Sequence, residues 1–210
     1  ERSFEHCYES FGKTNDDIGC LFAAQGVVLA ITAQVGRFRR LDRWIAVLAD
    51  KLPTMRPQTA PATRLKAWYT FLYAAHLQNP DHPLVPTGLQ AVKELLFSDA
   101  LSDNQKLDAG TALIIYAWLI PDTHLAQQVE AAVAQIGARE DASPISRLLW
   151  LLDYGAYTYL SGEWHAAIEI YKDGADYADR IGLAGLRYWI RVLRAICYLG
   201  IGDGARATAD

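Results

Sequence analysis

Turn-forming sites at Gly36, Asn79, Pro121, Gly162 and Gly202 recur along the chain at separations of 43, 42, 41 and 40 residues. An apolar stretch of helical length lies on each side of every turn. Such a period marks helix-turn-helix units that stack on one another, because a single unit cannot bury its own apolar face. The expected fold is therefore all-α, an α-solenoid of stacked antiparallel helix pairs forming one helical-repeat domain over residues 1–210. Scaffolds of this kind bind other molecules and seldom catalyse.

The composition agrees with that expectation. A chain of 210 residues with 51% hydrophobic content supplies a continuous core. A net charge of −4 gives no field strong enough to make nucleic acid or an anionic membrane the main partner. Cys7, Cys20 and Cys197 are widely spaced and form no CxxC pair, which fits a reducing cytoplasm. Ile18 to Gly36 carries no charge and approaches the length of a membrane span, but Gln25, Gly26, Thr32, Gln34 and several alanines dilute it, and it reads as a buried repeat helix. The opening at Glu1, and a turn at Gly202 followed by the start of another helix, read as an excerpt of a longer multidomain protein.

Local signals place the helices. Residues 1–11 read as the second helix of a preceding unit, followed by a polar linker in which Asn15 or Asp16 caps the next helix. The first full unit pairs residues 17–35 with 39–52, ended by Pro53 and Pro57. The second pairs 62–78 with 86–97, where Pro86 suits a first helical turn. The third pairs 103–120 with a helix reaching Ile136 and capped by Gly137. The fourth runs 144–160 and then to Arg180, closed at Gly182, and a further first helix covers 184–199.

The fourth unit carries the clearest packing pattern. Small residues at Gly155, Ala167 and Gly174 let two helices approach, and Tyr171 is expected to fill the gap to the next unit. This spacing resembles the tetratricopeptide repeat, with small residues at its positions 8, 20 and 27, Gly162 at 15 and an aromatic at 24. The units are longer than that family's 34 residues, and Leu41, Leu84, Ala126 and Ala207 stand where Ala167 does. Longer repeats with Leu41-Asp42-Arg43-Trp44-Ile45-Ala46-Val47-Leu48 and Gly162-Glu163-Trp164-His165-Ala166-Ala167-Ile168 are similar to the helical-repeat region of MalT-like activators, large bacterial signal-transducing ATPases that regulate transcription. The resemblance covers most of the chain. It implies a segment that couples an inducer or protein signal to self-association, with nucleotide-binding and DNA-binding modules elsewhere in the polypeptide.

No chemistry-bearing motif competes with this. Cys7 to Thr14 ends in Gly-Lys-Thr like a P-loop, but Cys7 replaces the first glycine and no strand precedes it, so a loop between helices is expected. The five histidines show no metal-ligand spacing, and no GxSxG elbow occurs. No enzyme, metal or cofactor is called for. Two basic clusters, Arg37/Arg39/Arg40/Arg43 and Arg187/Arg191/Arg194, are the candidates for an anion patch; the competing reading is a solvated helix flank.

In a solenoid the first helix of each pair lines the concave surface. Carrying over the tetratricopeptide groove positions gives Lys66, Tyr69, Tyr73 and His76 in the second unit, Asp108, Thr111, Ile115 and Trp118 in the third, and Tyr159 and Trp189 in the next two. Aromatic residues with a few polar ones suit a peptide or ligand groove, unless they are core. Only Lys66 fits the carboxylate clamp of chaperone adapters, since Tyr69 and Tyr73 stand where a basic residue and Asn are needed. The expected partners are a protein or peptide, a small-molecule inducer, or a second copy of the chain. Neither a membrane nor nucleic acid is expected at this segment. The alternative is a free-standing adapter that docks a peptide or helix in the groove.

Overall fold

A computed structural model describes residues 1–32, 38–56, 58–119, 122–139 and 141–210, apart from the side chain of Trp118. Every regular element among them is helical. The chain divides into two compact units, Glu1–Leu101 and Ser102–Asp210. The first holds α1 (Arg2–Lys13), α2 (Asp17–Thr32), α3 (Leu41–Lys51), α4 (Pro61–Gln78) and α5 (Val85–Leu96), with 3-10 turns at Phe38–Arg40 and Leu52–Thr54 flanking α3. The second holds α6 (Asp103–Leu119), α7 (Thr123–Gly137), α8 (Pro144–Leu160), α9 (Trp164–Ile181), α10 (Ala184–Gly200) and α11 (Gly204–Ala209).

Helix starts follow local chemistry. Asp16 Oδ1 accepts from the Gly19 amide at 2.9 Å, Asp122 from Leu125 at 2.9 Å and Asp203 from Arg206 at 3.1 Å, each satisfying an amide that the first turn leaves open. Asp16 is thus the cap, while Asn15 takes the left-handed φ of 53° that turns the chain into α2. Pro61 and Pro144 occupy first-turn positions, where a missing N–H costs nothing. Of the predicted turns, Gly162 and Gly202 have φ of 89° and 79°, and Gly182 closes α9 at 75°. The turns expected at Gly36 and Pro121 lie outside the described residues. Gly137 departs from expectation: it is the last residue of α7 rather than a cap. Its smallness serves packing, because a Cβ there would stand 3.1 Å from Trp150 Cδ1.

In the first unit α2 is apolar all round and lies against α1, α3 and α4. Phe4 and Phe11 of α1 seat on Gly26 and Gly19, where side chains would collide with their rings, and Tyr8 meets Trp44 edge-on at 5.2 Å. The Cys7–Thr14 segment lies mostly within α1, so it forms no phosphate loop. Trp44, Leu48 and Phe71 are sealed from solvent, each worth roughly 1.5–3 kcal/mol of burial. Among the described residues no helix is long and apolar enough to cross a membrane.

In the second unit α6 packs on both α7 and α8, while α7 barely touches α8; α9 then packs on α8 and α10. Tyr171 of α9 shares a core cluster with Ile190 and Cys197 of α10, in line with its spacing, and it also packs within its own pair. Its ring presses on Gly155 of α8, with Cε1 2.5 Å from where a Cβ would sit, and its hydroxyl reaches the Leu152 carbonyl at 3.5 Å. Gly174, three residues further along α9, admits Ile190 of α10. Leu148, Ile168, Tyr171, Ile190 and Cys197 form one core cluster around these contacts.

Candidate binding face

Lys66, Tyr69, Tyr73 and His76 follow one another at spacings of three, four and three residues, which places them on one face of α4. Lys66 is exposed, and Tyr69, Tyr73 and His76 are half-buried. The two phenol rings stack at a centroid separation of 6.1 Å with planes 6° apart. The Lys66 ammonium lies 5.7 Å from the centre of the Phe22 ring on α2, joining the two helices. Burial lowers the His76 pKa to about 4, so the imidazole is neutral at physiological pH.

Phe22 belongs to a row that the sequence reading treated only as buried helix. Ile18, Phe22 and Leu29 of α2 are each 44–49% exposed, and the row is readable from their spacing in a charge-free segment. Gln25 lies between them in sequence, 1% exposed, with neither amide atom hydrogen-bonded. Next to the start of α2, a cavity of about 250 Å³ is bordered by Asp16, Asp17, Lys51 and Arg56. Lys51 Nζ donates to Asp17 at 2.7 Å, which lowers the Asp17 pKa and raises that of Lys51.

The candidates of the second unit are dispersed. Asp108 is half-buried on α6, Thr111 and Ile115 are fully buried, and the Trp118 side chain lies outside the described residues. Thr111 donates to the Leu107 carbonyl at 2.9 Å. Tyr159 packs against the α8–α9–α10 core and meets Trp164 edge-on at 5.0 Å. Trp189 is 43% exposed on α10, 6.0 Å from the Tyr188 ring.

The basic clusters are partly committed. Arg40 pairs with Glu1, and the Arg43 guanidinium lies 4.9 Å from the centre of the Trp44 ring; Arg37 lies outside the described residues. Arg187 and Arg191 share Asp179 at 2.5 Å and 3.5 Å, and Arg194 pairs with Asp210. All three cysteines are free, Cys20 and Cys197 buried. Among the described residues no three His, Cys, Asp or Glu side chains gather as a metal site would require. The chain matches no protein-family model, and no curated protein sequence matches it.

The α4 face offers stacked aromatic surface, an apolar row on α2 and one ammonium. Such a face can hold an apolar or aromatic side chain and orient an acidic group beside Lys66.

Proposed function

We propose that this chain is a binding and sensing segment, an α-solenoid related to the tetratricopeptide type and to the repeat region of MalT-like regulators. It couples occupancy of its binding face to self-association of a bacterial transcriptional regulator in the cytoplasm, acting by conformational coupling rather than by bond-making. The observation that carries this reading is the Lys66–Tyr69–Tyr73 row, an exposed ammonium beside the exposed Phe22 ring with two stacked, half-buried phenols along the same helix face. Support for the repeat architecture comes from α8 and α10, which begin and end 40 residues apart around equivalent left-handed glycines.

The test has two parts. Sequencing the encoding gene outward should reveal a nucleotide-binding ATPase module and a DNA-binding module; their absence refutes the regulator role and leaves the adapter. Tyr69→Ala with Tyr73→Ala should abolish ligand-linked self-association in sedimentation while far-UV circular dichroism stays unchanged. Loss of the fold instead would make these tyrosines core.

A further inference from the structure

The cavity of about 250 Å³ beside the start of α2 is walled by residues from the α1–α2 linker, the end of α3 and the segment leading into α4. It does not border an end of the chain. Glu1 pairs with Arg40 at the opposite end of α3, roughly 16 Å along the helix axis from Lys51. The volume falls below the roughly 300–1,000 Å³ usual for drug-sized ligands, so its occupant is small.

The charges on its walls specify what fits. Asp16 and Asp17 oppose Lys51 and Arg56, so the formal charges cancel. Asp16 uses Oδ1 to cap α2 on the Gly19 amide, and Asp17 uses Oδ1 to accept from Lys51, a contact that also keeps Asp17 ionised. The second oxygen of each carboxylate accepts no hydrogen bond from a described residue, and the exposed Arg56 guanidinium makes no hydrogen bond or ion pair with one. A simple anion or cation held here would lie beside a like charge as well as its complement. A dipolar molecule satisfies both: a guanidinium takes a carboxylate in two parallel hydrogen bonds, and free carboxylate oxygens take an ammonium. Ile18, Leu21 and Met55 add an apolar wall, with the methionine adaptable in shape.

We propose that this cavity binds a free α-amino acid with an aliphatic side chain, its carboxylate on Arg56, its ammonium against the free oxygens of Asp16 and Asp17, and its side chain against Ile18, Leu21 and Met55. The site goes beyond the face described on α4. It shares only Ile18 with the apolar row of α2 and uses none of Lys66, Tyr69 and Tyr73.

Isothermal titration of the whole chain with L-leucine, L-isoleucine, L-valine and L-methionine tests this. Saturable binding of at least one is expected. For leucine, the two probes that each lack one charge are 4-methylpentanoate, without the ammonium, and 3-methylbutylamine, without the carboxylate. Each should bind about tenfold or more weakly than leucine, and Arg56→Gln should weaken leucine by a similar factor. Arg56 is exposed and unpaired among the described residues, so its replacement should leave the circular dichroism unchanged. Tyr69→Ala/Tyr73→Ala should bind the amino acid normally, which separates failure here from failure of the α4 face. Binding of none of the four amino acids overturns the proposal. So does binding that Arg56→Gln leaves unchanged, or that either one-charge analogue matches.

Discussion

Gly155→Ala measures the closest helix contact in the second unit. Two effects oppose one another at this position. Alanine is the better helix former by about 0.8–1 kcal/mol, so an exposed site in α8 would be stabilised. The added methyl would instead stand 2.5 Å from Tyr171 Cε1 and 2.7 Å from Cζ, nearly an ångström inside ordinary contact. Tyr171 is 1% exposed and packed in the core cluster, so its ring cannot swing into solvent. Overpacking of this kind costs about 2–3 kcal/mol, which outweighs the propensity gain and leaves a net loss of about 1–2 kcal/mol. The same substitution made beside Tyr171→Leu should change sign, because the shorter side chain vacates the space and only propensity remains. Urea unfolding followed by circular dichroism gives all four stabilities of the cycle, and a coupling of about 2 kcal/mol is expected. Equal effects of Gly155→Ala in both backgrounds would refute the close approach.

Other perturbations follow from burial and backbone conformation. Burial pushes the half-buried Asp153 carboxyl up to about 8 from 3.8, so the folded state holds a proton that the unfolded chain gives up; stability is full below pH 3.8 and lost as pH rises through 8. Asp153→Asn should therefore stabilise the protein by about 2 kcal/mol at pH 9 and little at pH 4, partial water access holding the effect below the full shift. A pH-independent difference would refute this. His76 has the opposite slope: stability present above 6.5 is lost as pH falls through about 4, and His76→Gln should flatten that limb in acid denaturation. Gly162→Ala should cost about 1–2 kcal/mol in thermal unfolding, since φ is 89° and nothing crowds the site; a neutral result would mean the turn relaxes. Tyr171→Ala should cost about 3–5 kcal/mol by opening a cavity over Gly155, and a loss under 1 kcal/mol would show that the ring is not core.

The sequence by itself determined the helices and their order, because the signals that start and stop a helix are local. Asp122 and Asp203 cap through amides three residues away, Pro144 sits where no amide is needed, and Gly162 and Gly202 take a backbone conformation that side chains resist. The α4 row was legible for the same reason, since helical spacing alone puts Lys66, Tyr69, Tyr73 and His76 on one face. The small residues Gly155 and Gly174 marked close approaches between helices, but most contacts were not legible, because they depend on which faces meet. Spacing marks Gly137 as a cap, whereas it packs against Trp150, and spacing gives no sign that Tyr171, besides joining Ile190 and Cys197 of α10, presses on Gly155. Tyr159 had the spacing of a groove residue, yet it packs beside Trp164. The apolar character of Ile18, Phe22 and Leu29 was plain in the chain, but apolar residues line both cores and binding faces. Only the tertiary structure decided which side of α2 the neighbouring helices covered and which they left to solvent.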